Sequence, residues 1–300
     1  MSSTGMRIMF TTLIAVGNLS LAYGQGSGPV DGKSNGVPTK PLTNTQAIAE
    51  LERAQELFRM DDREKDAMEA ALPLEQVFRD AEDYDHLVDC VFLLGDCYYF
   101  FREYEKAISY MREAADLGYR YFPDQMSPYP LKVIGESQYE LGKYDEALAT
   151  FKERVSRVRK DQPDELHGAL FDEAALMINT GDYQGSLMVL GEALQENKAL
   201  SSRLADDPDS SVTDRLGASM DAAEIIYHAG VANFHMEKLP EARAFIREAL
   251  AIFDTIDGQG EVDVRDRRVA LLDELVMICE TLGEADEAAG YRTKRDELNQ

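Results

Sequence analysis

The sequence predicts an all-α fold in which helix–turn–helix units stack into an α-solenoid. Two observations carry this reading. From Thr45 to the C-terminus apolar residues recur at helical spacing, with no run of alternating β-branched residues. Within that stretch the chain is similar to itself five times over. Aligned on Ala107, Ala147, Ser186, Ala242 and Ala288, the position three residues earlier holds Tyr104, Tyr144, Tyr183, Leu239 and Ala285. Glycine stands five earlier in three cases, as Gly142, Gly181 and Gly283. Twelve earlier come Gly95, Gly135, Ala174, Gly230 and Val276, and small residues dominate again seven later. A helix ending at a glycine, a second helix opening on "YDEA" or "LPEA", and small residues where the two cross describe one unit. Neither helix can bury its apolar stripe alone, so each pair must stack on the next.

Taken in order, residues 1–24 read as an export signal. Arg7 is their one charge, and "IMFTTLIAVGNLSLA" (8–22) is apolar with a few small polar residues. "AYG", ending at Gly24, places small residues at the signal peptidase positions. The run is shorter than the usual membrane span of about 20 residues. Cleavage near Gly24 into a periplasmic or secreted chain is therefore expected, with an uncleaved anchor as the alternative. No cysteine follows the run, which argues against a lipoprotein. Residues 25–43, rich in Gly, Pro and Ser, form a flexible linker. The repeat array then fills 44–300. A divergent unit covers about 44–80 with a helix break at Pro73, and the others lie near 88–121, 128–161, 167–200, 223–256 and 269–300. The anchors are 40, 39, 56 and 46 residues apart, so surplus residues must enter longer helices or loops. "ENKALSSRLADDPDSSVTD" (196–214) is the clearest insertion and "IDGQGEVDVRD" (256–266) a second, while "YFPDQMSPYP" (121–130) is a Pro-rich connection.

"LGDCYYFFREYEKAISYMREA" and "IGESQYELGKYDEALATFKER" resemble tetratricopeptide repeats, whose unit is a helix–turn–helix of 34 residues. The resemblance is strong in the units from Val88 and Pro128, fair near His167 and Ala223, and weak near Val269. It implies a right-handed superhelix with a concave groove. In this family the eighth, eleventh and fourteenth residues pack within the unit, and the second, fifth, ninth, twelfth and thirteenth face the groove. Counted from Val88, Tyr98 and Phe101 are structural, whereas Phe92, Asp96, Tyr99 and Phe100 face the groove. The same count in later units gives Tyr129, Lys132 and Tyr139, then Phe171 and Ile178, then Tyr227, Phe234 and His235. So many rings on one face point to recognition. The alternative is that neighbouring helices cover them and make them core. Arrays of this family that capture acidic chaperone tails hold the carboxylates with basic groove residues. Here Phe92, Asp96, Glu136, Ala175, Tyr227 and Val231 stand at those places, with Lys132 alone basic. An acidic chaperone tail is not the expected ligand, and an apolar or basic-apolar protein or peptide segment is.

Charge supports that choice. The chain has 56 acidic and 31 basic residues, a formal charge of −25. Such a surface repels nucleic acid and anionic lipid and attracts basic segments. Against this trend, "FKERVSRVRK" (151–160) is either an acidic-partner site or a solvated helix end. The three cysteines, Cys90, Cys97 and Cys279, are expected to be buried thiols, since Cys90 and Cys97 on one helix would lie about 10 Å apart. Of the four histidines, His228 and His235 are seven apart, not the i, i+4 of paired helical ligands. "DDPDSSVTDRLGA" lacks the Gly and Glu of a calcium loop and reads better as a helix cap. No nucleophile elbow, phosphate loop or zinc spacing is present. The chain is thus expected to be a non-enzymatic scaffold of the cell envelope without cofactor, metal or small-molecule substrate. The alternative is a self-association module that forms homo-oligomers through convex or terminal repeats.

Overall fold

The computed structural model describes residues 42–299, apart from 61, 124, 125 and 261. The export signal of 1–24 and the linker up to residue 41 lie outside the described residues. The described chain is helical in stacked, antiparallel pairs, and forms two compact units that meet in sequence at Arg157 and Val158.

The first unit opens on α1 (Asn44–Phe58), capped by Thr43, which exchanges bonds with Gln46 in a capping box. The last linker residue therefore has a structural task. Next come α2 (Glu64–Ala71) and α3 (Leu74–Asp80), and the helix breaks at Pro73, which takes the N-cap position of α3. The pairs α4 (Tyr84–Phe100) with α5 (Tyr104–Tyr121), and α6 (Tyr129–Glu140) with α7 (Tyr144–Asp161), follow. Leu51, Phe78, Leu87 and Leu94 share a core from α1, α3 and α4. The second unit pairs α8 (Leu166–Thr180) with α9 (Tyr183–Asp206), α10 (Val212–His235) with α11 (Leu239–Asp257), and α12 (Arg265–Leu282) with α13 (Ala285–Leu298). Ile246, Phe253, Leu275 and Ile278 anchor its core.

In segment 196–214 the surplus residues enter longer helices. Its residues extend α9 and α10 to 24 residues each, joined by a short turn. Asn197, fully buried, donates Nδ2 to the Ala218 carbonyl at 3.0 Å and pins the two extensions together. Ser211 and Asp214 form the capping box that starts α10, the cap role expected for this acidic stretch.

Each turn within a pair places one residue at positive φ. Gly142, Gly181 and Gly283 do so, but so do Arg102 (φ 59°) and Glu237 (φ 60°) at the equivalent places. The following amide closes back on the preceding helix, as Glu103 N to Tyr98 O at 2.9 Å and Lys238 N to Asn233 O at 3.0 Å. Side chains resist this conformation and glycine does not. Glu237→Gly is therefore expected to raise stability by about 0.5–1 kcal/mol, read as a higher urea midpoint; a lower midpoint would show that Glu237 is not strained.

Candidate functional site

Of the four rings of the aromatic row one is buried and three are half-buried. Tyr98 is buried and stacks on Tyr110, centroids 5.2 Å apart. Phe101 is half-buried against the core of the first unit. Phe100 meets it edge-on at 5.3 Å. Tyr99 is half-buried, turns its edge to Tyr104 at 5.9 Å, and hydrogen-bonds Glu136.

Around Tyr99 the first helices of two successive pairs, α4 and α6, exchange tyrosines for carboxyls. Phe92 of α4 stacks on Tyr129 of α6 at 5.3 Å. The Tyr129 hydroxyl donates to Asp96 Oδ1 at 3.3 Å. Burial pushes the Asp96 carboxyl up to about 7, the Tyr129 hydroxyl pulls it down, and the Glu136 charge adds to the rise. Burial and the neighbouring carboxylates drive the Tyr99 and Tyr129 phenols well above their ordinary range. Along the turn edge Tyr139 tilts onto the exposed Tyr144 at 5.4 Å, and Tyr104 donates to Glu140 at 3.4 Å. Lys132 is buried.

The second unit repeats the exchange between α10 and α12. The Tyr227 hydroxyl donates to Glu274 Oε1 at 2.7 Å, and burial pushes Glu274 up to about 7. Arg267 donates through Nε to Glu224 at 2.7 Å and through a second nitrogen to its other oxygen. The guanidinium carbon lies 5.7 Å from the centre of the Tyr227 ring. Phe171 and Ile178, expected on the groove, are 7% and 4% exposed. Phe171 sets its ring edge-on to His228 at 4.7 Å. Both residues pack, the outcome held open as core formation. His235 is exposed and lies flat on Tyr183 at 4.9 Å, with Phe234 beside it.

Glu224, Arg267 and Glu274 were not singled out from the sequence. Glu224 lies at a groove-facing position in the count from Ala223. Glu274 falls in the weakest repeat, where the count misses it by one place. In the basic run of 151–160, Lys152 and Lys160 are exposed and three arginines are engaged. Arg154 is buried, Arg157 holds Glu153 at 2.7 Å over the Tyr119 ring, and Arg159 holds Glu192 at 2.8 Å.

Among the described residues Cys279, Glu284 and Glu287 bring one ligand atom each within 4.8 Å of one another. Arg243 already supplies their positive charge, bonding both carboxylates, Glu287 at 3.1 Å. Burial pushes the Cys279 thiol up, against the thiolate a metal needs. His228 and His235 do not converge: His228 is buried with Nδ1 on the Glu224 carbonyl, and His235 lies on Tyr183. Among the described residues no helix is long and apolar enough to cross a membrane.

Residues 88–117 and 134–155 each match a tetratricopeptide repeat model, so the chain carries tetratricopeptide repeats, which are typically protein-interaction modules. No curated protein matches it. Among solved structures it is similar to the apo form of RapI, with 11% identity, 84% of this chain and 97% of that one covered, and a TM-score of 0.59. It is also similar to BtubC (BKLC) from P. vanneervenii, at 15% identity, 86% and 89% coverage and a TM-score of 0.58. A Rap protein complexed with Competence and Sporulation Factor gives 13% identity, 85% and 76% coverage and a TM-score of 0.51. At these identities the likeness establishes the fold: all-helical, stacked tetratricopeptide-like repeats.

Proposed function

We propose that this protein is a non-enzymatic adaptor of the cell envelope that holds a basic-apolar protein or peptide segment on the first helices of its repeats. The observation that carries this reading is the recurrence of tyrosine–carboxyl pairs beside half-buried rings, Tyr129–Asp96 in one unit and Tyr227–Glu274 in the other. Ring faces receive apolar and cationic side chains, and carboxyl oxygens receive ammonium or guanidinium donors. The net charge of −25 adds long-range attraction for the same ligands. The similar Rap protein complexed with Competence and Sporulation Factor supports a holding role for such a fold. The apolar segment before Gly24 supports export, with cleavage there. Lys132, Phe171 and Ile178 are buried and stand outside the proposed face.

Screening the chain from residue 25 against an immobilised peptide library tests this. Peptides pairing Lys or Arg with aromatic residues are expected to bind, and Glu-substituted counterparts are not. Replacing Tyr99 and Phe100 of the first unit together with Ala is expected to weaken capture about tenfold or more while helical circular dichroism persists. Undiminished capture by the folded double variant would remove these rings from the site.

A further inference from the structure

Two carboxyl groups meet one guanidinium where α10 faces α12. Arg267 is committed to Glu224 through two nitrogens, and lies beside the Tyr227 ring. Glu274, seven residues further along α12 and so on the same side of the helix, is held by a neutral donor, the Tyr227 hydroxyl. The neighbouring arginines are engaged elsewhere. Arg268 of α12 holds Asp254 and Asp257 of α11, and Arg243 of α11 holds Glu284 and Glu287. Arg247 of α11 reaches Glu287 at 3.7 Å. On α13, Arg292 holds Glu280 and Arg295 holds Asp273. His228 of α10 is buried, and burial lowers its pKa, which keeps the ring neutral.

We propose that Tyr227, Glu224, Arg267 and Glu274 form a proton-operated coupling that holds α12 and α13 to the rest of the second unit. With a proton on Glu274, a neutral carboxyl sits beside the tyrosine and the guanidinium serves Glu224 alone. Without it, a second negative charge stands in a half-buried place whose one guanidinium is taken. Burial raises Glu274 from 4.5 to about 7, outweighing the downward pull of Tyr227 and Arg267. Between those values the closed unit holds the proton and an opened one does not. Closure is therefore favoured at low pH and loses that advantage as pH rises through about 7.

Amide exchange on the full mature chain, corrected for the intrinsic pH dependence of exchange, tests the coupling. From about pH 5.5 to about pH 8.5 the opening equilibrium of α12 and α13 is expected to rise about thirtyfold. Glu274→Gln keeps the size of the side chain and an acceptor for Tyr227, and its opening should lose this rise. A carbon-detected titration of Glu274 in the wild-type protein gives an independent reading, with a midpoint near 7. Tyr227→Phe should move that midpoint higher, because the hydroxyl favours the charged form. The same pH response in wild type and Glu274→Gln, or a Glu274 midpoint in the ordinary glutamate range, overturns the proposal. If the Gln variant does not fold, the wild-type titration decides alone.

Discussion

Gly230→Leu is expected to unfold the second unit. Gly230 lies on α10 where α11 crosses it, and an added Cβ would stand 2.9 Å from Ile246 Cγ1 and 3.3 Å from both the Ala242 carbonyl oxygen and Phe245 Cβ. Ile246 is itself 1% exposed, so it has nowhere to retreat. Alanine here gains up to about 1 kcal/mol of helix propensity but incurs about 1–3 kcal/mol of overpacking, so Gly230→Ala should be a net loss. Leucine adds three more carbons to the same gap. Gly95 occupies the equivalent place on α4, yet there the nearest atoms, at 3.0 Å, are Cε and Cγ of Met111, a flexible side chain. Gly95→Ala should therefore stay within about 1 kcal/mol of wild type. Urea midpoints followed by circular dichroism measure both. In the double variant with Ile246→Ala, the Gly230→Ala loss should shrink, because the two sites share one contact. A Gly230→Leu protein with a wild-type midpoint would mean that α10 and α11 are not closely packed at this crossing.

The crossings were legible because they impose a composition: in four of the five aligned units a small residue stands at a fixed place on the first helix, Val276 being the exception. The turns were legible only in part. Their geometry asks for positive φ, which glycine announces, but Arg102 and Glu237 adopt it without announcing it. Segment 196–214 is legible as surplus, and its path as helix is not. The spacing of the repeats marks it as an insertion that longer helices or loops could take up, and two helices run on through it, bridged by the long-range bond from Asn197 to Ala218. The candidate site was the least legible. A positional count says which way a residue points from its own unit, and nothing about what lies opposite. Phe171 and Ile178 hold the counted positions and are nevertheless buried. Glu274 does the opposite, since it lies one place off the count and yet receives the Tyr227 hydroxyl. Pairings between helices some 47 residues apart depend on a register that the weak last repeat does not fix.

Asp96→Asn is expected to stabilise the protein above neutral pH by roughly 2–4 kcal/mol. The native carboxyl rises from 3.8 to about 7, first through burial and then through the Glu136 charge. A folded pKa raised above the unfolded one contributes stability below about 4, and that contribution disappears as pH climbs through about 7. Three pK units at about 1.4 kcal/mol each set the upper bound, and solvent at this half-buried position reduces it. Asparagine keeps the size and still accepts from Tyr129, so the substitution removes the charge and little else. Some carboxyls, unlike Asp96 and Glu274, titrate with the opposite sign. At Asp83 burial is outweighed by bonds from Asn44 and His86, its pKa falls, and its contribution is lost as pH drops. Only the difference between wild type and Asp96→Asn isolates Asp96. That difference should be near zero at about pH 4 and largest at about pH 8 in denaturant titrations. A variant less stable than wild type at the higher pH would show that Asp96 is ionised there and already paired. If Asp96 serves recognition, the stabilised variant should also bind the Lys-aromatic peptides less well, because the charge that burdens the fold is the charge a cationic side chain would meet. Stability gained with binding unchanged would place recognition elsewhere on the repeats.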